Sequence, residues 1–318
     1  MAPFDDFEVV VPASTANMGP GFDSLGMALN LFLRLRFSHQ DRMEIVLRGD
    51  QWKGVPADGR NLVIRVMREA FRRAGREMPP FRLEMESDIP LMRGLGSSAA
   101  AVVGGLMAAN QLLGCPWKRE ELLLQATNRE GHPDNAAASL LGGVVVCSWD
   151  GQRLHYVQSS PPPLHVVTAI PAFSLSTERA RDVLPQNLPH SRAVLASSRA
   201  NLLTAALLTG RWELLEVAME DWFHQPYRLS LVPGMEEVLA NARRHGALGV
   251  ALSGAGPTVI AFTREPERVG RFMKQVFSRH GISVRVLSLL PCAQGASVRL
   301  TIGWGRSKFV GNTEGAER

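Results

Sequence analysis

Hydrophobic positions in the first half of the chain recur with two different periods. Between 61 and 74 they follow helical spacing, with Leu62, Val66 and Ala70 on one face, and this spacing predicts an amphipathic helix. Elsewhere apolar and polar residues alternate, as in 81–86, which is typical of a half-buried strand. On these grounds we predict strands at 7–11, 25–37, 43–47, 81–86 and 144–149, with three helical stretches before the last of them.

The second half begins after the most linker-like segment of the chain, Ser-Ser-Pro-Pro-Pro at 159–163. Its pattern predicts helices at 193–208, 211–223, 234–245 and 266–279, and strands at 164–170, 248–252, 258–262 and 283–289. This order is close to a split βαβ, ferredoxin-like layout. We therefore expect an α+β protein with an N-terminal domain at 1–158, a C-terminal domain at 164–303 and a polar, flexible tail at 304–318.

The composition fits a globular protein with two domains. Of 318 residues, 45% are hydrophobic and 20% are charged, which supports a core and excludes wholesale disorder. The longest apolar run, 99–109, is too short to span a bilayer, and the acidic first residues are unlike a signal peptide. The cysteines Cys115, Cys147 and Cys292 lack a metal-binding spacing, which predicts reduced thiols in a cytoplasmic protein.

The charge is only mildly basic for a chain of this length. The net charge is +5 and the isoelectric point about 9.5, and the basic residues, almost all arginines, are scattered. Their densest group, 68–76, has the spacing of a helix. We expect no nucleic-acid partner and no membrane association, whereas a small anionic ligand fits the charge equally well.

The segment Pro-Leu-Met-Arg-Gly-Leu-Gly-Ser-Ser-Ala-Ala at 90–100 lies between a predicted strand and a predicted helix. Gly94 and Gly96 let the backbone turn tightly and present successive N–H groups, and Ser97 or Ser98 can cap the helix. A glycine-rich turn that leads into a helix N-terminus favours phosphate. An ordinary turn with a serine cap is the alternative.

Two further features bear on this loop. It lacks the lysine of a P-loop, so phosphate charge would be met by N–H groups, the helix end, a metal or arginine. Gly104 and Gly105 lie inside the following helix, where each glycine costs about 1 kcal/mol relative to alanine. We therefore expect close backbone packing beneath the loop.

Two other glycine-containing segments accompany the loop. The segment Val-Pro-Ala-Ser-Thr-Ala-Asn-Met-Gly-Pro-Gly-Phe-Asp-Ser-Leu-Gly at 11–26 is turn-forming, and Ser-Gly-Ala-Gly-Pro-Thr at 253–258 lies between two predicted strands. The three segments resemble motifs one, two and three of the GHMP kinases and, within that superfamily, those of the homoserine kinases. Glu-Gly-His-Pro-Asp-Asn at 130–135 and Thr-Glu-Arg-Ala-Arg at 177–181 resemble the same family.

This resemblance implies the two-domain GHMP kinase fold, in which the N-terminal domain is like the second domain of ribosomal protein S5 and the C-terminal domain is ferredoxin-like. It also implies ATP-dependent phosphorylation of the side-chain hydroxyl of L-homoserine, on the route to threonine. ATP and Mg²⁺ would be the cofactors, since phosphoryl transfer needs phosphate clamps, a metal and an aligned hydroxyl. The sequence leaves a homodimer open.

The resemblance further implies a set of site residues. Mg²⁺ would be held by Ser98 and Glu130, although a solvated helix end is the alternative for Glu130. Asn61 would contact the adenine side, which is compatible with a role as helix N-cap. The residues expected to bind the nucleotide are Asn61, Leu91, Arg93, Gly94, Leu95, Gly96, Ser97, Ser98 and Gly254. The residues expected to bind the substrate are Asn17, Asp23, His132, Asn135, Thr177, Arg181 and Arg228.

The charged members of the substrate set have expected roles. Asn17 and Asp23 would hold the ammonium or the hydroxyl end of the amino acid. The guanidinium groups of Arg181 and Arg228 would clamp its carboxylate, because a guanidinium fork suits a planar anion. From spacing alone, a surface arginine on a helix is an equally good interpretation of Arg181.

The implied catalytic residues are Ser98, Glu130 and Asn135, and none of them is a conventional general base. Asn135 stands where several GHMP kinases carry an aspartate, and an amide cannot accept a proton. The implied mechanism is positioning and electrostatics, with the hydroxyl proton leaving to a phosphate oxygen or water. We expect Asp134 to cap the helix that begins at Asn135, and His132 to contact the substrate or the loop.

Three other functions compete with this interpretation. A GHMP kinase for galactose or mevalonate is disfavoured, because the first motifs of those enzymes are absent. A catalytically inactive ligand sensor predicts loss of Ser98, Glu130 or the glycine loop, and all three are present. A nucleic-acid role rests on the S5-like half alone, which is an analogy of fold.

Overall fold

Two β-sheets organise the chain. The structure, a computed structural model, describes residues 4–302 and 306–308. The strands are β1 (Phe7–Asn17), β2 (Gly21–His39), β3 (Glu44–Arg48), β4 (Phe81–Ser87), β5 (Val144–Trp149), β6 (Leu154–Ser159), β7 (His165–Pro171), β8 (Ala247–Leu252), β9 (Val259–Thr263), β10 (Val284–Leu289), β11 (Ser297–Ile302) and β12 (Arg306–Lys308). The helices are α1 (Leu62–Arg73), α2 (Ser97–Leu112), α3 (Arg119–Glu130), α4 (Asp134–Leu141), α5 (Thr177–Asp182), α6 (His190–Thr209), α7 (Leu215–Ala218), α8 (Gln225–Arg228), α9 (Met235–Asn241) and α10 (Pro266–Arg279).

The first sheet has the strand order β12-β11-β1-β2-β4-β3, and β5 and β6 extend it from β2. Its pairs are antiparallel except for β3 with β4. The long strand β2 pairs with β1 over most of its length, with β5 near its start and with β4 near its end. Because one strand joins these pairings, the first motif at 11–26 and the glycine-containing segment at 90–96, which we call the phosphate loop after its expected ligand, are anchored in the same sheet.

Helices α1 to α4 pack beside this sheet, and glycines allow the close approach. A Cβ on Gly104 would lie 2.7 Å from Leu35 Cδ1, and one on Gly105 would lie 3.0 Å from Val63 O. Helix α2 thus lies close to β2 and α1, as the glycine pair predicts. At Gly26 a Cβ would lie 2.1 Å from Asp134 O, so α4 begins directly against β2.

The second sheet has the order β10-β7-β9-β8, and all of its pairs are antiparallel. Numbered within the domain, this is the order 4-1-3-2 of a split βαβ, ferredoxin-like sheet. Helix α10 packs against β7 and β10, and its buried face includes Val269, Met273 and Phe277. The predicted α+β class and the expected ferredoxin-like order of the second sheet are thus observed.

Some elements differ from the sequence predictions. The segment 11–26 is mostly strand, since β1 continues to Asn17 and β2 starts at Gly21, and only 18–20 forms the turn. The helix expected at 211–223 is shorter, because only 212–218 is helical. Strands β6 and β11 were not predicted, and β11 depends on pairing with the distant β1.

Near the C-terminal end, the pairing of strands does not follow the predicted domain boundaries. Strand β11 pairs with β1 in the first sheet, although it falls inside the predicted C-terminal unit 164–303. Within the predicted tail 304–318, Arg306–Lys308 pairs with β11, and the rest lies outside the described residues. In the described part of the chain, no helix is long and apolar enough to cross a bilayer. Cys115, Cys147 and Cys292 are free thiols.

Candidate active site

A cavity of about 220 Å³ lies where three loops meet. These are the turn between β1 and β2, the segment 88–96 before α2, and the connection 253–258 between β8 and β9. Most of the predicted site residues line this cavity, namely Asn17, Asp23, Gly94, Gly96, Ser97, Ser98, Glu130, His132, Asn135, Thr177, Arg181, Arg228 and Gly254. The candidate site is therefore formed by loops that adjoin strands of both sheets.

A second, larger cavity of about 950 Å³ adjoins the first. Of the predicted nucleotide-binding residues, it is lined by Asn61, Leu91, Arg93, Ser97 and Ser98. Ser97 and Ser98 line both cavities. Leu95 lines neither, because its side chain is buried in the core. The start of α2 is thus a wall common to the two cavities.

Buried hydrogen bonds tie the three loops together. Thr15 Oγ1 lies 2.8 Å from Ser253 Oγ, and Ser253 Oγ donates to Gly94 O at 2.6 Å. Gly254 N donates to Ala16 O at 3.0 Å. Thr15 and Ser253 are fully buried, and buried polar groups need partners. Displacing one loop would therefore leave polar groups of the other two unpaired.

Asn17 fastens the turn that follows β1. Its Nδ2 donates to Gly254 O at 3.1 Å, and its Oδ1 accepts from Asp23 N at 3.1 Å. Asn17 and Asp23 both have left-handed backbones, with φ of 67° and 54°, which non-glycine residues adopt rarely. The buried amide of Asn17 thus holds Asp23 at the cavity and joins the turn to the third loop.

The glycines of the phosphate loop are required by the neighbouring loops. Gly96 has a φ of +70°, and a Cβ there would lie 2.1 Å from Ser14 Oγ. Gly94 has a φ of +78°, and a Cβ there would lie 2.4 Å from Ser253 O. Both the left-handed conformation and the close packing exclude a side chain.

Helix α2 presents an uncapped N-terminus at this wall. The helix begins at Ser97, with Gly96 as N-cap, and no side chain caps it. The prediction that Ser97 or Ser98 caps the helix is wrong, because both residues lie in its first turn. The first N–H groups of a helix have no partners within it, and together with the helix dipole they favour an anion.

Ser98 and Glu130 form the closest pair of oxygen donors at the wall. Ser98 Oγ donates to Glu130 Oε1 at 3.0 Å. Burial raises the pKa of Glu130, against the opposing effects of the Ser98 hydrogen bond and of the charges of His132 and Arg129. Within the described residues, no side chain forms an ion pair with Glu130. A hydroxyl beside an unpaired carboxylate is a donor set that suits a hard divalent cation.

A second group of potential metal ligands is already neutralised by the protein. Oxygen or nitrogen atoms of Asp23, His132 and Asp134 lie within 4.8 Å of one another. Asp23, however, forms an ion pair with Arg181, and Asp134 Oδ1 lies 2.7 Å from His132 Nδ1. Ser98 and Glu130 are therefore the better candidates to hold a cation.

Asn135 is oriented by a chain of buried hydroxyls. Ser139 Oγ donates to Ser14 Oγ at 3.1 Å, and Ser14 Oγ donates to Asn135 Oδ1 at 3.0 Å. Both serines are fully buried. Because Asn135 Oδ1 accepts, the amide presents its Nδ2 as a donor. Asn135 Nδ2 approaches Asp134 Oδ1 only at 3.5 Å, which is the limit of a hydrogen bond.

His132 and Asp134 form a pair beside this amide. Helix α4 begins at Asp134, with Pro133 as N-cap, so Asp134 is not the predicted cap of a helix that starts at Asn135. Its Oδ1 accepts from Asn135 N at 2.7 Å. Burial lowers the pKa of His132, but the hydrogen bond and the charge of Asp134 outweigh it and raise that pKa. The Asp134 carboxylate therefore favours the protonated form of His132.

Asp23 and Arg181 pair across the cavity. Arg181 Nη2 donates to Asp23 Oδ1 at 2.7 Å, and Arg181 Nη1 donates to Asp23 Oδ2 at 3.0 Å. Both side chains are about one-third exposed. The Arg181 guanidinium also lies 5.3 Å from the centroid of the Phe22 ring. Arg181 is thus part of the cavity wall and not a solvated surface arginine.

The guanidinium group of Arg228 forms a hydrogen bond with His224, a residue that the sequence analysis does not identify. Arg228 is 1% exposed, and burial and the charge of Arg181 lower its pKa to about 10. Its Nη1 donates to Gly254 O at 3.1 Å and to His224 Nδ1 at 2.9 Å. Since Arg228 only donates, His224 carries its proton on Nε2, which lies 2.9 Å from Gly19 O. His224 therefore links Arg228 to the turn after β1.

Comparisons with known proteins show the family to which the chain is related. The model of the GHMP kinases N terminal domain matches residues 61–143, and that of the GHMP kinases C terminal domain matches 203–282. A homoserine kinase of Moorella thermoacetica is 48% identical over 91% of this chain and 99% of the relative. A homoserine kinase of Deinococcus radiodurans is 46% identical over 93% of this chain and 98% of the relative.

The chain belongs to the homoserine kinase family of GHMP kinases. A solved structure of homoserine kinase from Cytophaga hutchinsonii has a TM-score of 0.82 and 31% identity, covering 94% of this chain and 98% of the other. The expected family resemblance is confirmed over nearly the whole length.

Family membership does not by itself reveal the hydroxyl chain behind Asn135. Ser14 lies inside the first homoserine kinase motif, but nothing in the sequence indicates that it bonds to Asn135. Ser139 follows Asn135 by one helical turn, which is the only sequence signal for its position. The roles of Ser14 and Ser139 therefore emerge only from the packing of α4 against β1.

We predict that Ser14→Ala lowers the turnover of phosphoryl transfer by about tenfold, because the substitution leaves Asn135 Oδ1 and Ser139 Oγ without a partner. The KM of the alcohol substrate should change less, since Asn135 would be misoriented rather than absent. Steady-state kinetics measure both parameters. Ser148→Ala, at an exposed position of β5, is the control. Normal turnover in a folded Ser14→Ala protein would contradict the role of this chain.

Proposed function

We propose that the protein transfers the γ-phosphoryl group of ATP to the side-chain hydroxyl of L-homoserine and releases O-phospho-L-homoserine, a step on the route to threonine. One observation carries the proposal. The wall formed by Ser97 and Ser98 separates a cavity lined by opposite charges from a larger cavity at a helix N-terminus. A hydroxyl amino acid in the first and a nucleotide in the second would meet at this wall.

ATP would occupy the larger cavity, with its phosphates at the start of α2, where Ser97 and Ser98 also border the smaller cavity that Gly94 and Gly96 line. Asn61 Oδ1 accepts from Val63 N at 3.0 Å, and Asn61 Nδ2 donates to Pro56 O at 2.8 Å. Asn61 is the N-cap of α1. Because its amide is committed inside the protein, we expect Asn61 to shape the adenine side of the cavity.

Mg²⁺ would be held by Ser98 and Glu130. The unpaired carboxylate and the adjacent hydroxyl fit a hard cation that retains water and phosphate oxygens as its other ligands. When bound, the ion would neutralise charge on the transferred phosphoryl group. Burial raises the pKa of Glu130, and a bound cation would oppose this effect by stabilising the ionised form.

The amino acid would be held by charges at both of its ends. Asp23 suits the ammonium group, and Arg181 and Arg228 suit the carboxylate. Thr177 and His132 line the same cavity and would contact the substrate at its margins. Asn17 would act mainly through Asp23, whose backbone N–H donates to its amide oxygen.

Asn135 would donate from Nδ2 to the substrate hydroxyl oxygen and so align it with the phosphate wall. This role requires no proton acceptor on the protein, and one ring nitrogen of His132 is already engaged by Asp134. The hydroxyl proton would leave to a phosphate oxygen or to water. Rate acceleration would come from positioning and electrostatic stabilisation.

We also propose a cytoplasmic enzyme that acts on small molecules, without a nucleic-acid or membrane partner. The scattered charge supports this proposal, and a homodimer is compatible with it. A catalytically inactive sensor is disfavoured, because Ser98, Glu130 and Asn135 line one cavity. We also propose that the chain is divided into two domains, at 1–158 and 164–303.

We predict that ADP release from MgATP depends on L-homoserine. Threonine, serine, mevalonate and galactose should be poorer acceptors by about 100-fold or more in kcat/KM, because each misplaces the hydroxyl or lacks one of the charged groups. A coupled ADP assay gives the rates, and phosphorus NMR identifies the product. ATP consumption that is independent of homoserine, or faster with another of these alcohols, would overturn the proposal.

We predict that Glu130→Gln lowers turnover at ordinary Mg²⁺ and raises the Mg²⁺ concentration for half-maximal activity by at least about tenfold, the lower end of the cost of losing a group that supports a metal. Excess Mg²⁺ should restore part of the activity. Glu236→Gln, at an exposed position of α9, is the matched control. An unchanged Mg²⁺ dependence in Glu130→Gln would exclude Glu130 as a ligand.

A further inference from the structure

Two residues of the second half of the chain line the larger cavity, although the first sheet and its helices form most of its wall. Arg285 lies in β10, at the edge of the second sheet, and Ser174 follows strand β7 of the same sheet. A ligand in this cavity would therefore lie against side chains from both sheets.

Arg285 lies on the face of the second sheet that is turned toward the first. Alternate residues of a strand point to the same side, and Leu287 and Leu289 of β10 pack in the hydrophobic cluster that β1 and β2 also form. Opposite residues of an antiparallel pair share a face as well. Arg285 is paired with Ile170, which belongs to the same cluster. The side chain of Arg285 thus points toward the first sheet and the cavity.

Two hydrogen bonds place the start of β10 beside the phosphate loop. Arg93 Nη2 donates to Ala172 O at 2.6 Å, and Ala172 N donates to Ser283 O at 2.9 Å. Successive residues of an extended strand are about 3.3 Å apart, so the backbone of Arg285 is within about 7 Å of Ser283. Arg285 therefore lies near the end of the cavity that the phosphate loop borders.

The charged groups around this cavity favour an anion. Three cationic residues, Lys53, Arg93 and Arg285, line it, and Asp88 is the only acidic residue among the described residues that do so. Asp88 lies 3.7 Å from Arg34, and the Arg93 guanidinium is bound to backbone carbonyl groups. The side chain of Arg285 is exposed and, in the described part of the chain, has no hydrogen bond or ion pair. Its guanidinium is thus available to a ligand.

We propose that Arg285 binds a phosphate of the nucleotide that is not transferred, so that the second sheet takes part in nucleotide binding. A planar guanidinium suits a phosphate group. Arg285 does not line the smaller cavity, in which the acceptor hydroxyl would lie, so its contact is with the α- or β-phosphate and not with the γ-phosphoryl group. This inference rests on the proposed function and adds a binding residue to it.

The contact is tested by comparing ligands with and without phosphates. Arg285→Met should weaken the binding of MgATP and of MgADP by about fivefold, the upper range for an exposed ion pair. It should leave the binding of adenosine unchanged, because adenosine has no phosphate. Calorimetry without homoserine measures the two nucleotides, and adenosine is measured as a competitor of ATP.

Two further readouts separate a charge contact from a structural effect. The difference between Arg285→Met and the unmodified protein should shrink as salt is added, because salt screens exposed charges. Arg285→Lys should restore part of the affinity, since it keeps the charge. Arg264→Met removes an exposed arginine just after β9 that lines neither cavity, and it should bind both nucleotides normally. Thermal unfolding without ligand establishes that each variant is folded.

Three results would overturn the contact. They are unchanged affinity of Arg285→Met for both nucleotides, an equal loss for adenosine, and a loss that added salt does not diminish. Any of these in an enzyme that phosphorylates homoserine would leave the proposed function intact. If the unmodified protein binds no ATP, the proposed function and the contact both fail.

Discussion

The buried hydroxyl of Ser253 holds the active-site architecture together. The Ser253 Oγ lies 2.8 Å from Thr15 Oγ1 in the first motif and donates to Gly94 O in the phosphate loop at 2.6 Å. One side chain from the connection between β8 and β9 therefore fixes two loops of the first sheet. The backbone bond from Gly254 to Ala16 and the bond from Asn17 to Gly254 O reinforce the same contact. Neither glycine of the phosphate loop could carry a side chain without breaking this packing.

This constraint explains how the two cavities come to share a wall. The phosphate loop is drawn against the first motif, which brings the start of α2 beside Asn135 and the end of α3. On one side the uncapped helix favours phosphate. On the other side Asp23, Arg181 and Arg228 place opposite charges along the smaller cavity. In the proposed mechanism, the reaction at this wall would depend on alignment more than on a protein base, since Asn135 is held as a donor by Ser14.

Much of this organisation could be predicted from the sequence. Helical spacing predicted α1 and α10, and the glycine motifs together with the family resemblance predicted most of the residues that line the smaller cavity. Contacts between distant segments could not be predicted in the same way. Ser14 and Ser139 are 125 positions apart, and His224 bonds to Gly19 across 205 positions. Periodicity and capping rules report only neighbours along the chain, so these positioning residues and strand β11 were missed.

The most direct test of the central claim is the binding of both ligands to Ser253→Ala, measured by calorimetry with L-homoserine and with a non-hydrolysable ATP analogue. Ser253 does not line either cavity, so a loss of affinity would have to act through the loops. The account predicts that a folded Ser253→Ala protein binds both ligands about tenfold more weakly, the scale of one lost buried hydrogen bond, whereas Ser148→Ala binds them normally. Unchanged affinity for either ligand would contradict it.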